Sequence, residues 1–131
     1  MGNRQIVRLS WTMLALQAVH ILDHVRQGRG LNNELYGIGT FATVSALALV
    51  VLVVRRHPLA PVAAVTVGFG NLIGLPVVHI VPHWSAFSDP YPAAHVDAGS
   101  WIQLTVMMVV GLMLGLAGLA EMRRPASVAA G

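Results

Sequence analysis

No cysteine occurs in the 131 residues of this chain. That excludes a disulfide framework, a thiolate metal site and a cysteine nucleophile. Charge is nearly as scarce: 10% of residues are charged and 56% are hydrophobic, where soluble domains carry about 25% charged residues. Too few polar groups remain to coat a water-facing surface, and the mean hydropathy of +0.70 agrees. Lysine is missing too, so all eight basic residues are arginines. They lie at or near the ends of apolar segments, which makes them membrane-interface anchors rather than a nucleic-acid patch, despite a net charge of +3. No phosphate-binding glycine loop and no serine-elbow motif is present. An arginine-only, alanine- and valine-rich chain points to a high-GC bacterial genome.

What is there is apolar length. Four segments reach the ~20 residues that a bilayer demands at ~1.5 Å rise per residue: about 5–25, 35–54, 59–81 and 98–120. Isolated spans in lipid satisfy their backbone groups only as helices. The expected fold is an all-α integral membrane protein, residues 1–131 forming one domain of four transmembrane helices in an up-down-up-down bundle. Asn32 or Asn33 is the expected N-cap of the second helix and Asp97 that of the fourth. Pro61 and Pro76 are expected to bend the third helix and Pro82 to end or distort its outer turn. Gly70 with Gly74 and Gly111 with Gly115 have the spacing of close helix contacts, compatible with a homodimer or a larger membrane complex. Arg4 and Arg8 precede the first apolar stretch as in a signal peptide. No small-residue cleavage site follows, and Asp23, His24 and Arg26 close the stretch, so it is expected to stay in the mature protein.

Orientation follows from the arginines. Under four alternating crossings Arg4, Arg8, Arg55, Arg56, Arg123 and Arg124 fall on one side, and only Arg26 and Arg29 on the other. The first side is the cytoplasm, so both termini are expected inside a plasma (inner) membrane. Tyr36, Trp84, Tyr91 and Trp101 then mark the outer interface.

That topology gathers the chemistry on the outer face. His20, His24, His79, His83 and His95 lie there, as do Asp23, Glu34, Asp89 and Asp97; only His57 is cytoplasmic. Residues 19–24 read VHILDH and residues 78–83 read VHIVPH. Each hexapeptide is followed by an outer loop, an apolar helix and an arginine-rich terminator, the pattern of two tandem repeated helical hairpins. His20 with His24, and His79 with His83, are i and i+4, so on helices each pair projects from one face. Imidazoles one turn apart form a chelate for a transition metal. Diagonal helices of a four-helix bundle stand roughly 12–14 Å apart and each imidazole reaches roughly 8 Å, so both pairs can converge on the bundle axis.

The expected metal ligands are therefore His20, Asp23, His24, His79 and His83, with Asp23 either a ligand or a carboxylate orienting a ring. Gln17, one turn inside His20, is the expected donor beside it, and Asn71 is expected to bond across to another helix. Nitrogen and oxygen donors without thiolate suit zinc, iron, copper(II) or manganese. Met107, Met108 and Met113 lie among apolar neighbours and read as packing. The loop 84–97, with His95, reads either as a lid over the histidines or as an ordinary interfacial turn. Three functions fit these residues. The first is a metalloprotein acting on a lipid-soluble or periplasmic substrate. The second is an electron-transfer protein with haem b between His20 and His79, or between His24 and His83. The third is a non-catalytic accessory subunit or transport component.

Overall fold

In the computed structural model, which describes residues 2–32 and 36–124, the chain is all-helical. Four long helices and one short one occur among the described residues: α1 (Gly2–Arg26), α2 (Ile38–Val54), α3 (Ala60–His79), α4 (Tyr91–Ala94) and α5 (Ala98–Met122). α3 and α5 are each long and apolar enough to cross a membrane. α2 is apolar but has only 17 residues, starting after Gly37 rather than near residue 35. α1 has the length, but Arg4, Arg8, Gln17, His20, Asp23, His24 and Arg26 dilute its hydropathy. Asn33 and Glu34 lie outside the described residues.

The helix ends follow from local chemistry. α1 stops at a Schellman motif: Arg29 N–H bonds the His24 carbonyl at 2.9 Å and Gly28 N–H bonds the Val25 carbonyl at 3.0 Å. Gly28 holds φ +66° between them, a conformation glycine adopts without steric cost. Asp97 caps α5 as expected, its carboxylate accepting from Ser100 N–H. Pro61 does not bend α3. It stands in the first turn, where its missing N–H costs nothing, whereas Pro76 does lie inside the helix.

The outer end of α3 is distorted ahead of Pro82, as expected, and the helix stops at His79, two residues short of the expected end. Pro82 has no N–H to give the Val78 carbonyl four residues back. Asp89 N–H takes that carbonyl instead at 2.9 Å, and Trp84 Nε1 donates to the Val77 carbonyl at 2.8 Å. The helix closes at His79, so VHILDH is helical throughout while VHIVPH is helical only through its second residue.

α1 packs on α2 and α5, and α3 packs on the same two helices, with α3 and α5 the most closely joined. The glycines explain that closeness. A Cβ on Gly68 would stand 2.6 Å from the Gly111 carbonyl oxygen, and one on Gly118 would stand 2.7 Å from that of Pro61. A Cβ on Gly70 or Gly74 meets nothing within 4 Å, so the contact face of α3 is at Gly68 and not at the expected pair. Met13, Leu49, Leu104, Met107 and Leu114 form the fully buried core between the long helices. Large apolar side chains such as Leu22, Phe41, Ile73 and Ile102 stay more than half exposed around the outside.

Candidate metal centre

Three of the predicted ligands meet. His20 and His24 lie one turn apart on α1, and His79 is the last residue of α3. All three are at most 3% exposed. Ring centroids stand 4.9 Å apart for His20 and His24, 5.0 Å for His20 and His79, and 5.8 Å for His24 and His79. One ring nitrogen of each lies within 4.8 Å of the others, and the three side chains can hold a metal ion. Nitrogens 2.0–2.1 Å from a tetrahedral ion stand roughly 3.4 Å apart, so each ring needs to swing inward by less than ~1 Å.

The neighbours fix which nitrogen faces inward. Gln103 Nε2 donates to the Leu16 carbonyl at 3.4 Å and to Met107 Sδ at 2.7 Å. Its Oε1 therefore faces His20 and accepts the Nδ1–H at 3.1 Å. His79 Nδ1 lies 3.1 Å from the Asp89 backbone carbonyl, which can only accept. Both imidazoles thus carry a proton on Nδ1, which in the neutral ring leaves the lone pair on Nε2, the state a metal ligand needs. On the third ring, His24 Nδ1 stands 3.6 Å from Asp89 Oδ2. One residue, Asp89, serves two of the rings, through its carbonyl and its carboxylate.

The loop 84–97 covers this end of the helices. Arg29, placed by the α1 cap, pairs with the Asp89 carboxylate and donates to its carbonyl at 3.2 Å. The same guanidinium lies 4.8 Å from the centre of the Tyr91 ring. Tyr91 is fully buried, 4.5 Å from the His79 ring and edge-on to Trp101 at 5.4 Å. Burial pushes its phenol up to about 12. Tyr91, the shared acid Asp89 and its partner Arg29 therefore close this end of the three imidazoles.

Asp23 and His83 are not in this triad. Asp23 is buried on the side facing α5, where Ser100 Oγ donates to its Oδ2 at 2.5 Å and Arg26 donates to its Oδ1 at 2.6 Å and 2.9 Å. Arg26 also bonds both oxygens of Asp97, at 2.6 Å and 2.9 Å. That guanidinium holds the Asp97 carboxyl well below the usual carboxylate range, aided by the N-terminal amides of α5. His83 is exposed beyond the end of α3. Its Nδ1 bonds Ser88 Oγ at 2.9 Å, and since that hydroxyl donates to the Ser85 carbonyl, the imidazole is the donor. His95 is exposed with φ +50°, and His57 caps the turn before α3 by accepting from Leu59 N–H at 3.2 Å.

Two further expectations are corrected. Gln103 on α5, and not Gln17, bonds His20. Asn71 donates to Val67 O in its own helix at 2.9 Å, not across to another. Gln103 carried a signal that could have been read: it is the only amide in the apolar run of α5. Asp89 carried none beyond its sign, because its place depends on how the loop folds back. No family profile, curated protein or solved structure is significantly similar to this chain.

Proposed function

We propose that this chain is a four-span membrane protein that holds a divalent transition-metal ion on His20, His24 and His79, just beneath the outer membrane face. One observation carries the reading: three buried imidazoles from two separate helices bring ring nitrogens within 4.8 Å of one another. Ionisable side chains buried in lipid-facing helices are costly and face a partner or a cavity. Here each of two rings is also oriented by an acceptor on Nδ1, as metal-bound histidines are.

The membrane arrangement draws support from the belt of exposed apolar side chains and from the ring of contacts α1–α2–α3–α5. Arginine placement puts the termini in the cytoplasm and the histidines outside. Three histidine nitrogens with no fourth protein ligand among the described residues would match the pattern of catalytic zinc rather than structural zinc. An ion so held lowers the pKa of a bound water or polarises a substrate carbonyl. Zinc is therefore the reference ion, with iron and copper as the other ions imidazoles suit.

Haem b between His20 and His79 fits less well, because a flat macrocycle must lie between its axial rings. Those two centroids are only 5.0 Å apart, and His24 stands beside both. A cofactor-free accessory subunit leaves the convergence of three buried imidazoles without a cause.

The test is elemental analysis and zinc titration on detergent-purified protein. Wild type and His83→Ala are expected to bind one equivalent of zinc, and His20→Ala and His79→Ala to lose it. Wild type that neither retains nor takes up zinc, iron or copper overturns the proposal. A Soret band in the purified protein transfers the site to haem.

A further inference from the structure

A cleft opens between α2 and α3 and ends on the histidines. It offers about 200 Å³ of space and is open along one side. Along α3 it runs from Thr66 to His79, about 20 Å at ~1.5 Å per residue. Phe41, Ala42 and Val67 are among its walls, His20 and His79 close one end, and no charged residue among those described lines it.

Two observations separate this cleft from a packing defect. The first is glycine. Gly70 and Gly74 line it, and a Cβ on either would meet nothing within 4 Å. These glycines therefore do not serve helix contact, as Gly68 and Gly111 do. They widen an apolar slot that a close-packed interior would otherwise fill. The second is polar. Gln17 lines the slot at 3% exposure, with no hydrogen-bond partner among the described residues. Asn71, also in the lining, uses one amide N–H on the Val67 carbonyl and leaves its Oδ1 uncommitted. Neither amide is among the polar atoms sealed in without a partner, so a polar group bound in the slot can take up its free hydrogen-bonding atoms. Gln17 stands one turn from His20, so the polar group it meets sits beside the metal centre.

We propose that this cleft binds a single-chain fatty acyl amphiphile, with the hydrocarbon along α3 and a carboxylate, ester or amide head at Gln17, His20 and His79. This deepens the metal reading and rests on it for the head-group contact. The described lining carries no charge, which disfavours a phosphodiester or quaternary-amine head. A bare hydrocarbon leaves Gln17 unsatisfied, whereas a carbonyl oxygen accepts its N–H and offers an oxygen to the ion. Entry is sideways, from the bilayer through the open side of the slot.

The test uses a palmitic acid analogue with a diazirine in mid-chain, photocrosslinked to the full chain in dioleoyl phosphatidylcholine vesicles and mapped by peptide mass spectrometry. Labels are expected on Phe41–Ser45 and Gly70–Leu75, competed away by unlabelled palmitate. Gly74→Leu is expected to bring labelling there down to that of a generally exposed residue such as Ile102, with zinc content unchanged. Ala42→Leu fills the slot from the opposite wall and is expected to do the same, so a folding fault in one variant does not decide the matter. Labels spread evenly over Ile102, Val109 and Leu116, or cleft labels indifferent to both variants, overturn the proposal. Zinc content is read in the same samples. Normal zinc without cleft labelling sinks the cleft alone, and cleft labelling in a chain that takes up no metal sinks the metal reading alone.

Discussion

The backbone carbonyl of Asp89 lies 3.1 Å from Nδ1 of His79, and this contact exists because Pro82 released a helix carbonyl for the Asp89 amide to take. The last turn of α3, the covering loop and one imidazole are thus held by a single exchange of backbone partners.

Replacing that proline tests the exchange. Pro82→Ala restores an N–H that competes for the Val78 carbonyl and lets α3 run on toward His83. His79 then loses its acceptor, and zinc affinity is expected to fall by about 10–100-fold, the usual cost of losing a partner that orients a ligand. Competition titration against a chromophoric chelator measures it. Unchanged affinity would mean that the loop does not orient His79.

Gln103 makes a parallel case from another helix. Gln103→Leu keeps approximate volume and removes the acceptor on His20 Nδ1. The same titration is expected to show a loss of about 10–100-fold, while Gln17→Leu, which removes no bond to a ring, is expected to leave zinc affinity unchanged.

The glycines divide by their surroundings. Gly68→Ala and Gly111→Ala force a methyl against backbone and are expected to cost about 1–3 kcal/mol. Gly70→Ala and Gly74→Ala enter open space and are expected to gain up to about 1 kcal/mol from helix propensity. Thermal unfolding in detergent, followed by circular dichroism, separates the two groups. Equal losses at all four sites would refute the assigned contact face.

The Asp97 carboxyl gives a pH dependence of definite sign. Its pKa in the folded chain is depressed below the unfolded value by Arg26, so its stabilising contribution is fully present above about pH 4 and is lost as pH falls further. Melting temperature in detergent is expected to drop on acidification below about pH 4, and the drop is expected to be smaller in Asp97→Asn. Because Asp97 is half exposed, high salt is expected to weaken the effect.

Much of this was legible in the sequence, and where it was not the reason is physical. Helix existence came from apolar length, and the Asp97 cap came from residue type at a boundary. The meeting of His20 and His24 with His79 came from shared depth along two helices. His83 was misplaced because i, i+4 spacing assumes a helix, and Pro82 denies it one. Asp23, read as a ligand or a ring-orienting carboxylate, stands apart from the triad because Arg26 and Ser100 occupy its oxygens, and Ser100 comes from a distant stretch of sequence. Gly70 and Gly74 show the same limit: spacing identifies a smooth face but not what lies opposite it.

The contact of Gly68 with Gly111 has a mechanical consequence. Backbone lies against backbone there, so at that point α3 and α5 have no side-chain layer that can yield and are expected to move together. α1 is pinned to the same pair through the Asp23, Arg26 and Asp97 charges. Among the described residues, no such backbone contact and no ion pair holds α2. Any widening that admits a bulky guest must therefore displace α2, and agents that stiffen or crowd that helix will slow exchange without touching the histidines.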